Sequence, residues 1–88
     1  MAKTLTAYVE ESVFNGQFTE LKIHGYNNEV FQMKGDCRID RGEFVNLAYY
    51  EAGSRLEKGS EIKIRGITHY KILDPKNPEV VLHSGSIY

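Results

Sequence analysis

The chain has one cysteine, two prolines, no tryptophan and almost no excess of charge of either sign. Each scarcity excludes something. A lone Cys37 cannot close an internal disulfide, so the fold does not depend on an oxidising compartment, and a cytoplasmic location is the simpler expectation. Eleven basic residues against twelve acidic ones leave a net charge of −1. There is no overall field to gather a polyanion, and any basic site must be local. No apolar run approaches the ~18 residues that suggest a membrane-spanning helix, and the opening residues Met1 to Thr6 lack the apolar stretch of an export signal. The expectation is a soluble protein with no membrane partner.

Chemistry-bearing constellations are equally scarce. His24, His69 and His83 stand far apart and Cys37 is alone, so no ligand spacing for a metal is visible. There is no glycine-rich phosphate loop, no nucleophile elbow and no carboxylate pair beside a base. The chain is expected to be a non-enzyme that carries no cofactor and no metal.

What is present is a pattern. The 88 residues are 41% hydrophobic and 26% charged, an ordinary globular balance for one small domain with a thin core. Apolar residues recur mainly at alternate positions, the period of a strand with one buried face. From Thr4 to Phe14, Leu5, Ala7, Val9 and Val13 share a face, with Glu11 as the exception. Asn15-Gly16-Gln17 supplies a turn. A second strand is expected over Phe18 to His24, and a third over Val30 to Ile39 with Gly35 as a bend in its apolar face. Asp40-Arg41-Gly42 turns the chain into a fourth strand, Glu43 to Tyr50. There Val45, Leu47 and Tyr49 alternate with Phe44, Asn46, Ala48 and Tyr50.

The segment Glu51 to Ser60 is read as a loop with at most one short helix, since Gly53 and Gly59 limit any helix to a turn or two. A fifth strand starts at Glu61 and shifts phase at Gly66. Asp74 to Pro78 forms a rigid polar connection, and Glu79 to Tyr88 forms a last strand. Six short strands with glycine bends favour an all-β, closed or partly closed small barrel, because closure removes exposed edges. A small sandwich is the rival architecture.

One segment resembles a known family. Leu56, Gly59, Ser60, Ile62, Ile64 and Gly66 stand at places similar to those leading into the fourth strand of oligonucleotide/oligosaccharide-binding (OB) domains. On that likeness Phe44 to Tyr50 would be the family's third strand, and the Thr4 to Phe14 strand would be an added strand, part of a long first strand or a pairing edge. The resemblance implies a five- or six-stranded barrel that binds single-stranded DNA or RNA by stacking bases on exposed rings while cations follow the phosphates. It assigns binding roles to Lys34, Arg38, Phe44, Asn46 and Tyr50, with Gln32 on the same face. Tyr70 and Lys71, with His69 and Lys76, would come from a neighbouring loop. Phe44 and Tyr50 could equally cover the outside of a thin barrel, Tyr26 could stack on a base or pack on the barrel end, and surface cations are commonly just solvated.

A second function fits the same residues. Near-zero net charge and six tyrosines suit a protein-interaction or assembly subunit, self-associating or with another protein, whose outer strands offer edges for pairing. A saccharide-binding or small-molecule barrel ranks last, since so short a chain has little interior to spare.

Overall fold

The computed structural model describes residues 2–87. Among the described residues six strands follow one another without a helix: β1 (Lys3–Phe14), β2 (Phe18–Ile23), β3 (Glu29–Lys34), β4 (Phe44–Glu57), β5 (Ser60–Asp74) and β6 (Asn77–Ser86). They form one sheet in the order β3-β2-β1-β4-β5-β6, and a parallel β3–β5 pairing closes the first five into a barrel. Strand β6 lies outside that closure, joined to the sheet through β5. The architecture is consistent with an OB-like barrel carrying one added strand.

The alternation does what burial requires of it. Leu5, Val9, Leu21, Ile23, Phe31, Met33, Val45, Leu47, Tyr49, Ile67 and Ile72 meet in one apolar core. Phe31 lies at its centre with no exposed surface, its ring edge-on to Tyr49 at 5.1 Å and to Tyr26 at 5.7 Å. Tyr26 thus packs on the core, one of the two roles expected of it. Cys37 is half-buried against the same cluster. Its thiol is pushed up from its ordinary pKa, chiefly by burial, against a lowering hydrogen bond from Thr19 and with a further rise from Asp36.

Several expected boundaries move. Strand β3 stops at Lys34 instead of Ile39. Beyond it the buried Thr19 hydroxyl donates to the Gly35 carbonyl at 2.6 Å and accepts from the Cys37 amide at 3.0 Å. Those two bonds replace strand pairing with a side-chain anchor and carry the chain out of the sheet. The segment Glu51 to Ser60, expected as a loop with at most one short helix, is mostly strand, because β4 runs on to Glu57 in register with β5. The turn between them has Lys58 at φ 51° and Gly59 at φ 82°. Two successive positive φ values are the geometry of a tight two-residue hairpin, and a lysine at the first of them hides the signal.

The run in β1 that placed Val13 inward also needs correction. The ladder with β2 slips between Val9 and Glu11, so that Ser12 pairs with buried Leu21 and Val13 pairs with Glu20. One extra residue reverses every later side chain, which is why Glu11 broke the pattern and Val13 is exposed. Likewise Gly66 is not itself a bulge. It pairs directly with Tyr50, and the register slips instead at the Ala48–Tyr49 step, opposite Thr68, and again between Glu51 and Gly53.

The N-terminal strand is integral to the barrel, pairing with β4 through Lys3 to Tyr8 and with β2 beyond Val9. Counting from it, Phe44 to Tyr50 belongs to the fourth strand and Leu56 to Gly66 leads into the fifth. The numbering implied by the resemblance is one strand short.

Candidate functional site

The barrel's outer surface is not uniform in charge. Around β2, β3 and the β4–β5 hairpin, cations and carboxylates pair: Arg55 with Glu20 at 2.8 Å and with Glu57 at 2.6 Å, and Arg65 with Glu29 at 2.8 Å and with Glu51 at 3.3 Å. Those contacts raise both guanidinium pKa values, the hydrogen bond to Glu20 leading for Arg55 and that to Glu29 for Arg65. These arginines are committed to neighbours.

The face built by β1, β4, β5 and β6 differs. Strand register sets its residues in transverse rows. Tyr8 pairs with Phe44 and Phe44 with Leu73, while Thr6 pairs with Asn46, Asn46 with Lys71 and Lys71 with Ser84. A further row runs Thr4, Ala48, His69 and Ser86. None of the twelve acidic residues falls in these rows.

Aromatic rings stand at both ends of this field. Tyr8 is 46% exposed and leans on Phe44 with ring centroids 4.8 Å apart and planes tilted by 45°. Tyr50, 49% exposed, lies six residues along β4 from Phe44, roughly 20 Å at the rise of an extended strand. Between the ends a shallow groove of about 280 Å³ is lined by Asn46, His69, Tyr70, Lys71, Ser84 and neighbouring glycine and serine. The Asn46 amide donates to the Leu5 carbonyl at 3.2 Å and to the Thr6 hydroxyl at 2.9 Å, which holds its side chain flat against β1 and leaves its carbonyl oxygen outside those bonds.

Glycine positions two of the rings. A Cβ at Gly66 would come within 2.5 Å of Tyr50 Cε1, and one at Gly85 within 2.5 Å of Tyr70 Cε1. Each ring therefore lies flat over a glycine on the neighbouring strand, where any larger residue would lift it. Gly66 is not at positive φ, and the clashing atoms are the far end of a half-exposed Tyr50 that can swing outward, so Gly66→Ala is expected to cost about 1 kcal/mol or less through the displaced ring. In urea unfolding the loss should largely vanish when the same change is made in a Tyr50→Ala background. Additive losses would mean that the ring and the glycine are not coupled.

The site residues expected from the sequence separate into groups. Phe44, Asn46, Tyr50, His69 and Lys71 come together on this face. Arg38 lies at one end of it, in the loop after β3, lining a second groove with Phe44. Tyr70 requires correction as a stacking residue: it is 6% exposed and sits in the core. Its hydroxyl donates to the Cys37 carbonyl at 3.3 Å and lies 3.1 Å from His83 Nε2. Burial, followed by the nearby Cys37 and Glu43, pushes its phenol above the ordinary pKa, so it remains a neutral donor.

Lys34 requires correction too, for it pairs in register with Phe18 on a strand that does not neighbour β4. Gln32 flanks Gly66 on the side away from Tyr50, and Lys76 stands in the β5–β6 turn. Tyr8, Thr6 and the β6 serines went unnoticed in the sequence. Only the β1–β4 and β5–β6 registers bring them beside Phe44 and Lys71.

No family model matches the chain, and neither does any curated protein or solved structure.

Proposed function

We propose that the chain is an OB-type binding module that takes a single-stranded nucleic acid across the outer face of β1, β4, β5 and β6. The reading rests on one observation. In a chain whose acidic and basic residues nearly balance, the pairing rows of this field hold no carboxylate, while exposed rings stand at both ends and Lys71 lies between them. Bases stack on Phe44, Tyr8 and Tyr50, while Lys71 and Arg38 meet phosphates. Thr6, Asn46, Ser84 and Ser86 supply neutral hydrogen-bonding groups to sugars and base edges.

The scarcity of cations makes this a stacking site more than an electrostatic one. One or two neutralised phosphates give a slope of log affinity against log salt of roughly −0.7 to −1.4 for a single strand. Titration of a fluorescent oligonucleotide at several salt concentrations measures it, and Lys71→Gln should bring the slope nearer zero by roughly 0.7. No binding at low salt overturns the proposal. So does a steep slope untouched by Lys71→Gln, which would place the contact elsewhere.

A further inference from the structure

A second groove, of about 510 Å³, opens where the loop before β4 meets the β5–β6 turn. Its lining includes the apolar Phe44, Ile72, Leu73, Pro75 and Leu82, together with His83 and two charges of opposite sign, Arg38 and Glu43. Among the described residues neither charge takes part in an ion pair. Glu43 accepts a hydrogen bond from the Asp40 amide at 3.1 Å, which anchors its carboxylate without neutralising it.

The apolar part continues past the groove. Leu82 is 60% exposed, and Val80 and Val81 beside it are also exposed, on a strand that lies outside the barrel. The pairing of β5 with β6 slips on both sides of Leu73, so Leu82 and the segment Pro78 to Val80 have no register partner. Such slips prevent another strand from continuing the ladder there, yet the apolar side chains stay presented.

An apolar surface beside unpaired charges of both signs is self-complementary. Under a two-fold axis the patch meets itself, residue i touching j while j touches i. We infer that this patch is the contact surface for a second copy of the chain. The exposed side chains of Val80, Val81 and Leu82 are buried between the copies, Arg38 of each chain faces Glu43 of the other, and a second such pair follows by symmetry. A partner of strongly acidic or basic character would leave one of the two charges opposed, and a membrane surface would bury both. A second copy satisfies each.

The groove shares Arg38 and Phe44 with the proposed nucleic-acid face, so a second copy and an oligonucleotide compete at that end, whereas Tyr50, Asn46 and Lys71 lie outside it. The test is sedimentation velocity of the unliganded chain across about 1 μM to 1 mM, the range in which modest self-association shows. A dimer is expected. Leu82→Asp should weaken it at least about tenfold, as loss of a central apolar contact does. Leu56→Asp, at an exposed leucine on the β4–β5 hairpin, should leave it unchanged.

Arg38→Glu and Glu43→Arg should each weaken the dimer, whereas the double exchange should restore it. That recovery is the pattern expected when the two residues meet across the axis. A strict monomer over the whole range overturns the inference. So does a dimer indifferent to Leu82→Asp, or an exchange that fails to recover what the single reversals lose. If Leu82→Asp disturbs the fold by circular dichroism, the charge exchange at Arg38 and Glu43 decides alone.

Discussion

Replacing Phe31 with alanine is expected to remove about 3–5 kcal/mol of stability, the cost of deleting a large ring from a packed interior. The residue has no exposed surface and supports two edge-on rings, Tyr26 from a turn and Tyr49 from β4. A barrel this small has nothing else to fill the void, because its core is a single cluster of side chains drawn from all five closing strands. Total stability of a small domain is about 5–15 kcal/mol, so the variant should be partly unfolded under mild conditions. Urea titration checks it: with a slope of about 1–3 kcal/mol per molar, the midpoint should fall by one to a few molar. Leu56→Ala, at a leucine 77% exposed, should stay within about 0.5 kcal/mol. A loss below about 1 kcal/mol for Phe31→Ala would contradict its central place.

The second large effect concerns binding. With Phe44 and Tyr50 both changed to alanine, affinity for a single strand should fall by about 2–6 kcal/mol, or roughly 30-fold to beyond 10⁴-fold, since each stacked base is worth about 1–3 kcal/mol. The single changes separate the two ends of the field. Tyr50→Ala also uncovers Gly66, so its urea midpoint must be measured beside its affinity to keep folding and binding apart. Phe44→Ala leaves Tyr8 without its ring partner, and Tyr8→Ala in that background should then cost less than it does alone. Unchanged affinity in the double variant would remove stacking from the proposed mechanism, even if binding itself persisted.

How much of this could be read in advance follows from what each signal depends on. Alternation is a local property, and so the faces of β4, with Val45, Leu47 and Tyr49 inward and Phe44, Asn46 and Tyr50 outward, were legible from the residues alone. Register slips are not local. The slip after Val9 leaves only an acidic residue out of place, and Glu11 was legible as an exception without revealing that Val13 had changed sides. The hairpin at Lys58-Gly59 was missed because its backbone demands positive φ at a lysine, a conformation that composition does not announce.

The site was legible to the same extent. Residues on one strand could be grouped, whereas their neighbours on other strands could not. Tyr70 shows the limit, being polar at its tip and aromatic in its body, so that only its place opposite Leu47 and Gly85 identifies it as a core ring. Lys34 shows it as well, because a cation on an outward face says nothing about which strands flank it.

The parallel pairing of Glu29–Gln32 with Lys63–Gly66 has a kinetic meaning. The long β4–β5 hairpin joins residues close in sequence and can form early. The β3–β5 seam must wait until more than thirty intervening residues have been gathered. Loop-closure entropy is spent before that seam returns any favourable contact, which places the barrel among the slower folders of its size, in milliseconds to seconds. Strand β6 stands apart from this order of events: attached to β5 beyond the seam, it can open and re-form while the closed barrel persists.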